Sequence, residues 1–193
     1  MTISLPQREF GYRTTPLTWS ELVQIITVER NLAKLSRNEK QQLEYERFRQ
    51  SIREEWLSIY DYILHTKFHF AKVPAYEKEQ EQEQEQEQEC HDNQGKKQKF
   101  QASPRLDEIT TVSKVLTLND YPYYLDSNIR HYILWKTVQP ITPLEIEETK
   151  ALLQQHEHQS PVTDILYWIN PPSLQSLPGI DHVHFLCQLQ QPI

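Results

Sequence analysis

Two runs with a two-residue period constrain this chain more than any other feature. In Arg130 to Lys136, His131, Ile133 and Trp135 share one parity, and Tyr132 and Leu134 share the other. In His182 to Leu189, Val183, Phe185, Cys187 and Leu189 alternate with His182, His184, Leu186 and Gln188. Only an extended strand sends successive side chains to opposite faces. Both runs are therefore predicted as strands near 131–136 and 182–189, with Val183, Phe185, Cys187 and Leu189 turned inward. Cys187, on the apolar side, is expected to be a packed and unreactive thiol. Two more β-rich runs lie near 112–118 and 164–169. Each of these ends in strand-breaking chemistry. Asn119-Asp-Tyr-Pro122 offers local side-chain hydrogen bonds and a proline, and Asn170-Pro-Pro-Ser173 is a stiff loop.

The first 70 residues have a different rhythm. Thr18-Trp-Ser-Glu21 and Ser36-Arg-Asn-Glu39 spell capping boxes, in which a hydroxyl and a glutamate satisfy each other's backbone N–H groups. Trp19, Leu22, Ile25, Ile26 and Leu32 follow the first box at helical spacing. Leu43, Phe48, Ile52, Trp56 and Ile59 form the stripe after the second, and Ser58 to Phe70 reads as a third helical segment. Trp19 and Trp56 are expected to pack between helices, because large aromatics on apolar stripes usually bury there. A third box, Thr142-Pro-Leu-Glu145, starts an isolated helix with Pro143 at its first position. Its predicted inner face is Leu144, Glu148, Ala151, Leu152 and Gln155.

Between these halves, Glu77 to Glu89 alternates Glu with Gln apart from Lys78, and Lys96, Lys97 and Lys99 follow. Such a run has no apolar face to offset the entropy of ordering. Residues from about 76 to 104 are read as a low-complexity insert in one domain spanning 1–193, either a solvated linker or a segment that binds a protein partner. The chain carries a net charge of −7, of which residues 77–99 hold −4. The remaining weakly acidic body argues against duplex nucleic acid as a partner. With 3 glycines against 12 prolines, the chain has no glycine-rich phosphate loop, and no cofactor is expected. The two cysteines, Cys90 and Cys187, are too isolated for a disulfide framework or a cysteine zinc site. No signal-like or membrane-length apolar run occurs. The expectation is a soluble, cytoplasmic protein.

His65 and His69, four residues apart, and His156 and His158, two apart, have spacings found in metal sites, but no supporting ligand pattern accompanies them. Ordinary surface or helix-end histidines are the expected outcome, and no metal site is predicted. The strand histidines carry more interest. His131, His182 and His184 converge if their strands are neighbours in one antiparallel sheet. Alternation fixes facing but leaves adjacency open. Convergent imidazoles near neutral pH could bind an anion or move a proton.

The order Asn119-Asp-Tyr-Pro122, His131 to Trp135, Thr142-Pro-Leu-Glu145 and His182-Val-His-Phe-Leu186 resembles the histidine-triad nucleotide-binding proteins in architecture. Leu186 stands where that family has its last histidine, and His184 matches the family's nucleophilic position. A broader set covers nearly the whole chain: Thr18-Trp-Ser-Glu-Leu22, Tyr60-Asp-Tyr-Ile-Leu64, Leu118-Asn-Asp-Tyr-Pro-Tyr123, Ile129 to Trp135, Tyr167-Trp-Ile-Asn-Pro171 and Leu174 to His184. Together they resemble the fungal N-acetylglucosamine-induced protein family, a domain of unknown function. The resemblance implies a cytosolic protein linked to amino-sugar metabolism and carries over no catalytic residues.

The expected fold is α+β: an N-terminal helical layer on a small, mainly antiparallel sheet, with one intervening helix. The expected function is binding of a sugar, nucleotide or nucleotide sugar by Asn119, Asp120, Tyr123, His131, Trp135 and Asn170 together with His182 and His184. Aromatic faces suit sugar rings, and Asn, Asp and His read hydroxyls or phosphate. The alternatives are a hydrolase or transferase using His182 or His184, and a regulatory adaptor acting through the Glu/Gln segment.

Overall fold

The computed structural model of the protein describes residues 4–75, 98–156, 160–175, 177 and 179–190. The Glu/Gln run, Cys90 and His158 fall outside these residues. The fold is α+β, with helices first and sheets after. Helix α1 spans Trp19–Val23, starts at the Thr18–Glu21 capping box, and continues as a π-helical turn over Gln24–Glu29 until Arg30 adopts a left-handed conformation. Helix α2 spans Glu39–Glu55. Its cap is Asn38 paired with Gln41, and not the predicted Ser36–Glu39 pair. Ser36 is instead buried, and its carbonyl accepts from Tyr124 N–H at 3.1 Å. Helix α3 covers Ile59–Phe68, capped by Ser58.

Strands β1, Ala71–Pro74, and β2, Phe100–Ser103, pair antiparallel as a separate ribbon. The polar insert is predicted to extend to about residue 104, but regular structure resumes at Phe100. The reason is tertiary. Leu57 N–H donates to Phe100 O at 2.8 Å, and the buried Asp61 carboxylate accepts from Ala102 N–H at 2.9 Å. Helix α3 thus holds β2 in place.

The main sheet has the order β3-β4-β6-β5, with every neighbour antiparallel. Strand β3 is Lys114–Leu118, β4 Ile129–Lys136, β5 Val162–Trp168 and β6 Asp181–Leu189. Helix α4, Pro143–His156, connects β4 to β5. The sheet is covered on both sides. Leu134, Val183, Phe185 and Cys187 pack under α4 with Ile141, Ile146 and Leu153. On the opposite face, Ile133 and Trp135 pack with Ile63 and Leu64 of α3, and Leu186 packs with Leu22 and Ile25 of the first helical segment. Double coverage explains why nearly all of β6 is buried, both parities included. Each large apolar side chain so enclosed contributes roughly 1.5–3 kcal/mol relative to exposure.

Helix α4 is rotated from its predicted setting. Its buried residues are Ile146, Thr149 and Leu153, while Leu144 is 68% and Leu152 42% exposed. Glu145 fixes the rotation. Its carboxylate accepts from Thr142 N–H at 2.8 Å and from the buried Lys136 Nζ at 2.8 Å. With Glu145 held against the end of β4, the next inward positions are one, four and eight residues on.

Candidate functional site

The register between β4 and β6 determines what the histidines do. His131 lies opposite Leu186, Ile133 opposite His184, and Trp135 opposite His182. Paired residues share a face, so all three histidines and Trp135 lie on the side away from α4. Diagonal neighbours on one face come within reach of long or aromatic side chains. His131 Nε2 and His184 Nδ1 are accordingly 3.0 Å apart. Trp168, at the end of β5, stacks on His184 with centroids 4.8 Å apart, and Tyr123 stacks on His131 at 5.5 Å. His182 lies against Trp135 at 5.2 Å.

Asparagine amides close both ends of the imidazole pair. Asn119 Nδ2 is 3.2 Å from His131 Nδ1, and Asn170 Nδ2 is 3.2 Å from His184 Nε2. Neither amide is free to turn. Asn119 Oδ1 accepts from Tyr121 N–H at 3.0 Å, and Asn170 Oδ1 accepts from Trp168 Nε1–H at 3.0 Å. Both Nδ2 groups are therefore donors aimed at the rings. Two neutral imidazoles between two fixed donors can satisfy only two of the three contacts, because each ring has one proton and one lone pair. Adding a proton worsens the mismatch. Burial acts in the same direction. It lowers the His131 pKa well below the ordinary range, helped by the neighbouring His184 and Arg37. It lowers His184 to about 3, helped by His182. The pair is held neutral.

His182 differs. Its Nδ1 lies 2.9 Å from Ile180 O, a carbonyl that can only accept, so Nδ1 carries the proton. In the neutral ring Nε2 then holds the lone pair, with no hydrogen-bond partner among the described residues.

In front of this face is a cavity of about 690 Å³, bounded by the sheet on one side and by α2 and α3 on the other. Of the residues predicted for a site, Asn119, Asp120, Tyr123, Trp135, Asn170, His182 and His184 line it. His131 is not on the wall. It sits behind, 3% exposed, and reaches the cavity through Asn119, Tyr123 and His184. Asp120 is turned towards solvent and pairs with Lys67 at 2.6 Å. The opposite wall is built from residues that the sequence does not mark as a site. It includes Tyr45, Phe48, Trp56 and Tyr62, with Tyr121 stacked on Phe48 at 4.3 Å. The helical stripe gave the signal for Phe48 and Trp56, but only as core positions.

Elsewhere, His65 Nδ1 is 2.7 Å from Phe70 O, while His69 is the left-handed cap of α3. Among the described residues, no group of three or more His, Cys, Asp or Glu is arranged to hold a metal ion. No described helix is long and apolar enough to cross a membrane.

With this geometry established, comparison with known proteins gives the family. A family described as "Protein of unknown function (DUF3605)" matches residues 18–188, and the chain belongs to it. N-acetylglucosamine-induced protein 1 of Candida albicans is 26% identical over 195 residues, covering 94% of this chain and 72% of that protein. A crystal structure of HTC1 superposes with a TM-score of 0.50 at 18% identity, covering 93% of this chain and 86% of the other. That likeness concerns the fold alone.

Proposed function

We propose that this member of a family without an assigned function is a small-molecule-binding protein, and that its ligand occupies the cavity between the helical layer and the histidine-bearing face of the sheet. One observation carries the reading. The cavity walls combine stacked aromatic rings with amide and imidazole groups whose orientations are fixed by neighbours behind them, at a volume of about 690 Å³. Ligand sites have this character: mostly apolar, with a few positioned polar groups. Trp135 offers a ring face, and His182 Nε2 offers an acceptor for a ligand hydroxyl. The name of the Candida relative supports including amino sugars among the candidates.

The test is a thermal-shift panel of sugars, amino sugars, nucleotides and nucleotide sugars on the full chain, with and without divalent metal. A ligand that binds the folded state raises the melting temperature by mass action, by an amount that grows with concentration. The shift should disappear in His182→Phe, read against that variant's own unliganded melting temperature. A panel that moves nothing would remove the main support for the reading.

A second reading, a histidine-dependent hydrolase or transferase acting on a nucleotide or sugar phosphate, draws support from the free lone pair on His182 Nε2. His184 suits the role of base less well. Both its ring nitrogens are engaged, and a group with a pKa of about 3 is a weak base at neutral pH. Turnover of a compound found in the panel, lost in His182→Ala with binding retained, would favour the enzyme over the binder.

A further inference from the structure

The cavity is far more positive than the molecule around it. The chain as a whole carries −7. Its cavity is nevertheless lined by Arg8, Arg37, Arg49, Arg53, Lys67 and Lys99, with Asp120 the one lining carboxylate among the described residues. Asp120 is taken by Lys67, and Arg49 lies 3.6 Å from Glu46. Arg8, Arg37, Arg53 and Lys99 have no carboxylate at ion-pair distance among the described residues.

Arg37 is the most demanding of these. It is half-buried, and desolvation lowers its pKa, with Tyr45, Tyr123 and Glu46 opposing and the nearby Arg8 adding to the effect. Its Nε and Nη2 donate to Tyr121 O at 3.2 and 2.5 Å, and its guanidinium lies 4.1 Å from the centre of the Tyr45 ring. Arg8 Nη2 donates to Leu35 O at 2.9 Å and Ala33 O at 3.3 Å. Backbone carbonyls and a ring face fix these groups in position but leave their charge in place. Two cations held together at the edge of the interior with no carboxylate in ion-pair contact are costly. An anion entering the cavity offsets that cost. Guanidinium groups favour phosphate, because their planar donors match its oxygens.

We propose that the ligand of this cavity is a phosphorylated small molecule, with its phosphate against Arg37 and Arg8 and its uncharged part against the wall formed by Trp135 and His182. This rests on the cavity being a ligand site at all, and it specifies the ligand's class.

The experiment uses calorimetry and thermal shift on the full chain with matched probes: glucose, glucuronate and glucose 6-phosphate; N-acetylglucosamine and its 6-phosphate; adenosine and AMP. The expected result is at least about tenfold tighter binding of the phosphorylated member of a series. That preference should shrink as salt rises, because partly exposed charges are screened. It should also fall about tenfold in Arg37→Gln, the loss expected for one charge-assisted contact of this kind. Arg37 also anchors Tyr121, so Arg53→Glu serves as a second variant at an exposed position, where folding is not at risk. It should weaken the phosphorylated probe and leave the neutral one unchanged. Equal binding of neutral and phosphorylated members overturns the phosphate assignment while the ligand-site reading survives. Equal binding of glucuronate and glucose 6-phosphate overturns it in favour of a general anion site. A phosphate preference untouched by both variants overturns the placement. No response to any probe overturns this inference and the ligand-site reading together.

Discussion

His131 and His184 sit where the sheet is closed on both faces, and their protonation is linked to folding. Their folded-state pKa values lie below the unfolded value of about 6.5, His184 at about 3. Between those limits the unfolded chain binds more protons than the folded one. The contribution of the pair is therefore complete above pH of about 6.5 and is lost as pH falls below that, for His184 through about 3. Glu145, lowered to about 2 chiefly by its hydrogen bond from Lys136, follows the same sign in a lower window, below about 4.5. Urea midpoints measured between pH 7 and pH 5 thus report the histidines and not Glu145. They should fall over that range in the parent protein and flatten in the double variant His131→Gln, His184→Gln. A parent midpoint indifferent to pH over that interval would contradict a buried neutral pair. The facing of these histidines could be read from strand alternation. Their 3.0 Å contact could not, because it depends on a register that places His184 diagonal to His131.

At the scale of elements, helix α4 shows how one local bond overrides a pattern. Its sequence offers apolar residues at positions 144, 146, 151, 152 and 153, too many for a single narrow stripe. The tie between Glu145 and Lys136 selects among them and turns Ile146 and Leu153 onto the sheet. Leu153→Ala should therefore cost about 2–5 kcal/mol, as a core truncation. Leu152→Ala should stay within roughly 0.5 kcal/mol, as a surface change. Denaturant titration of the two variants separates the settings, and comparable losses would argue against the observed rotation. The strand assignments were easier to read, because Arg130–Lys136 and His182–Leu189 have few alternatives at period two. The exceptions are β1 and β2, of which β2 shows the reason. Its four residues pair with β1 because Asp61 and Leu57 hold them, and no local preference announces that.

For the molecule as a whole, the β1–β2 ribbon brings the two ends of the Glu/Gln segment together. Ala75 N–H donates to Lys99 O at 2.9 Å, next to the Pro74–Phe100 pair. A chain closed this way does not need a long connection, and loop-closure cost grows only slowly with length. Replacing residues 77–97 by a short Asn-Gly turn should leave the melting temperature equal or slightly higher and leave any ligand shift intact. A clear loss of stability would mean that the segment contributes to the fold. Loss of a captured protein partner with stability unchanged would favour the adaptor alternative.

By itself the sequence determined the alternation of side chains along β4 and β6 and the capping boxes that start α1 and α4. These follow from backbone sterics and from bonds between residues a few positions apart. Tertiary structure decided which strands are neighbours, how α4 is rotated, and that Arg37, held by the carbonyl of a residue 84 positions away, shares a cavity with His184. Those outcomes depend on long-range register and on buried charge finding polar partners. Neither quantity is carried by a short window of sequence.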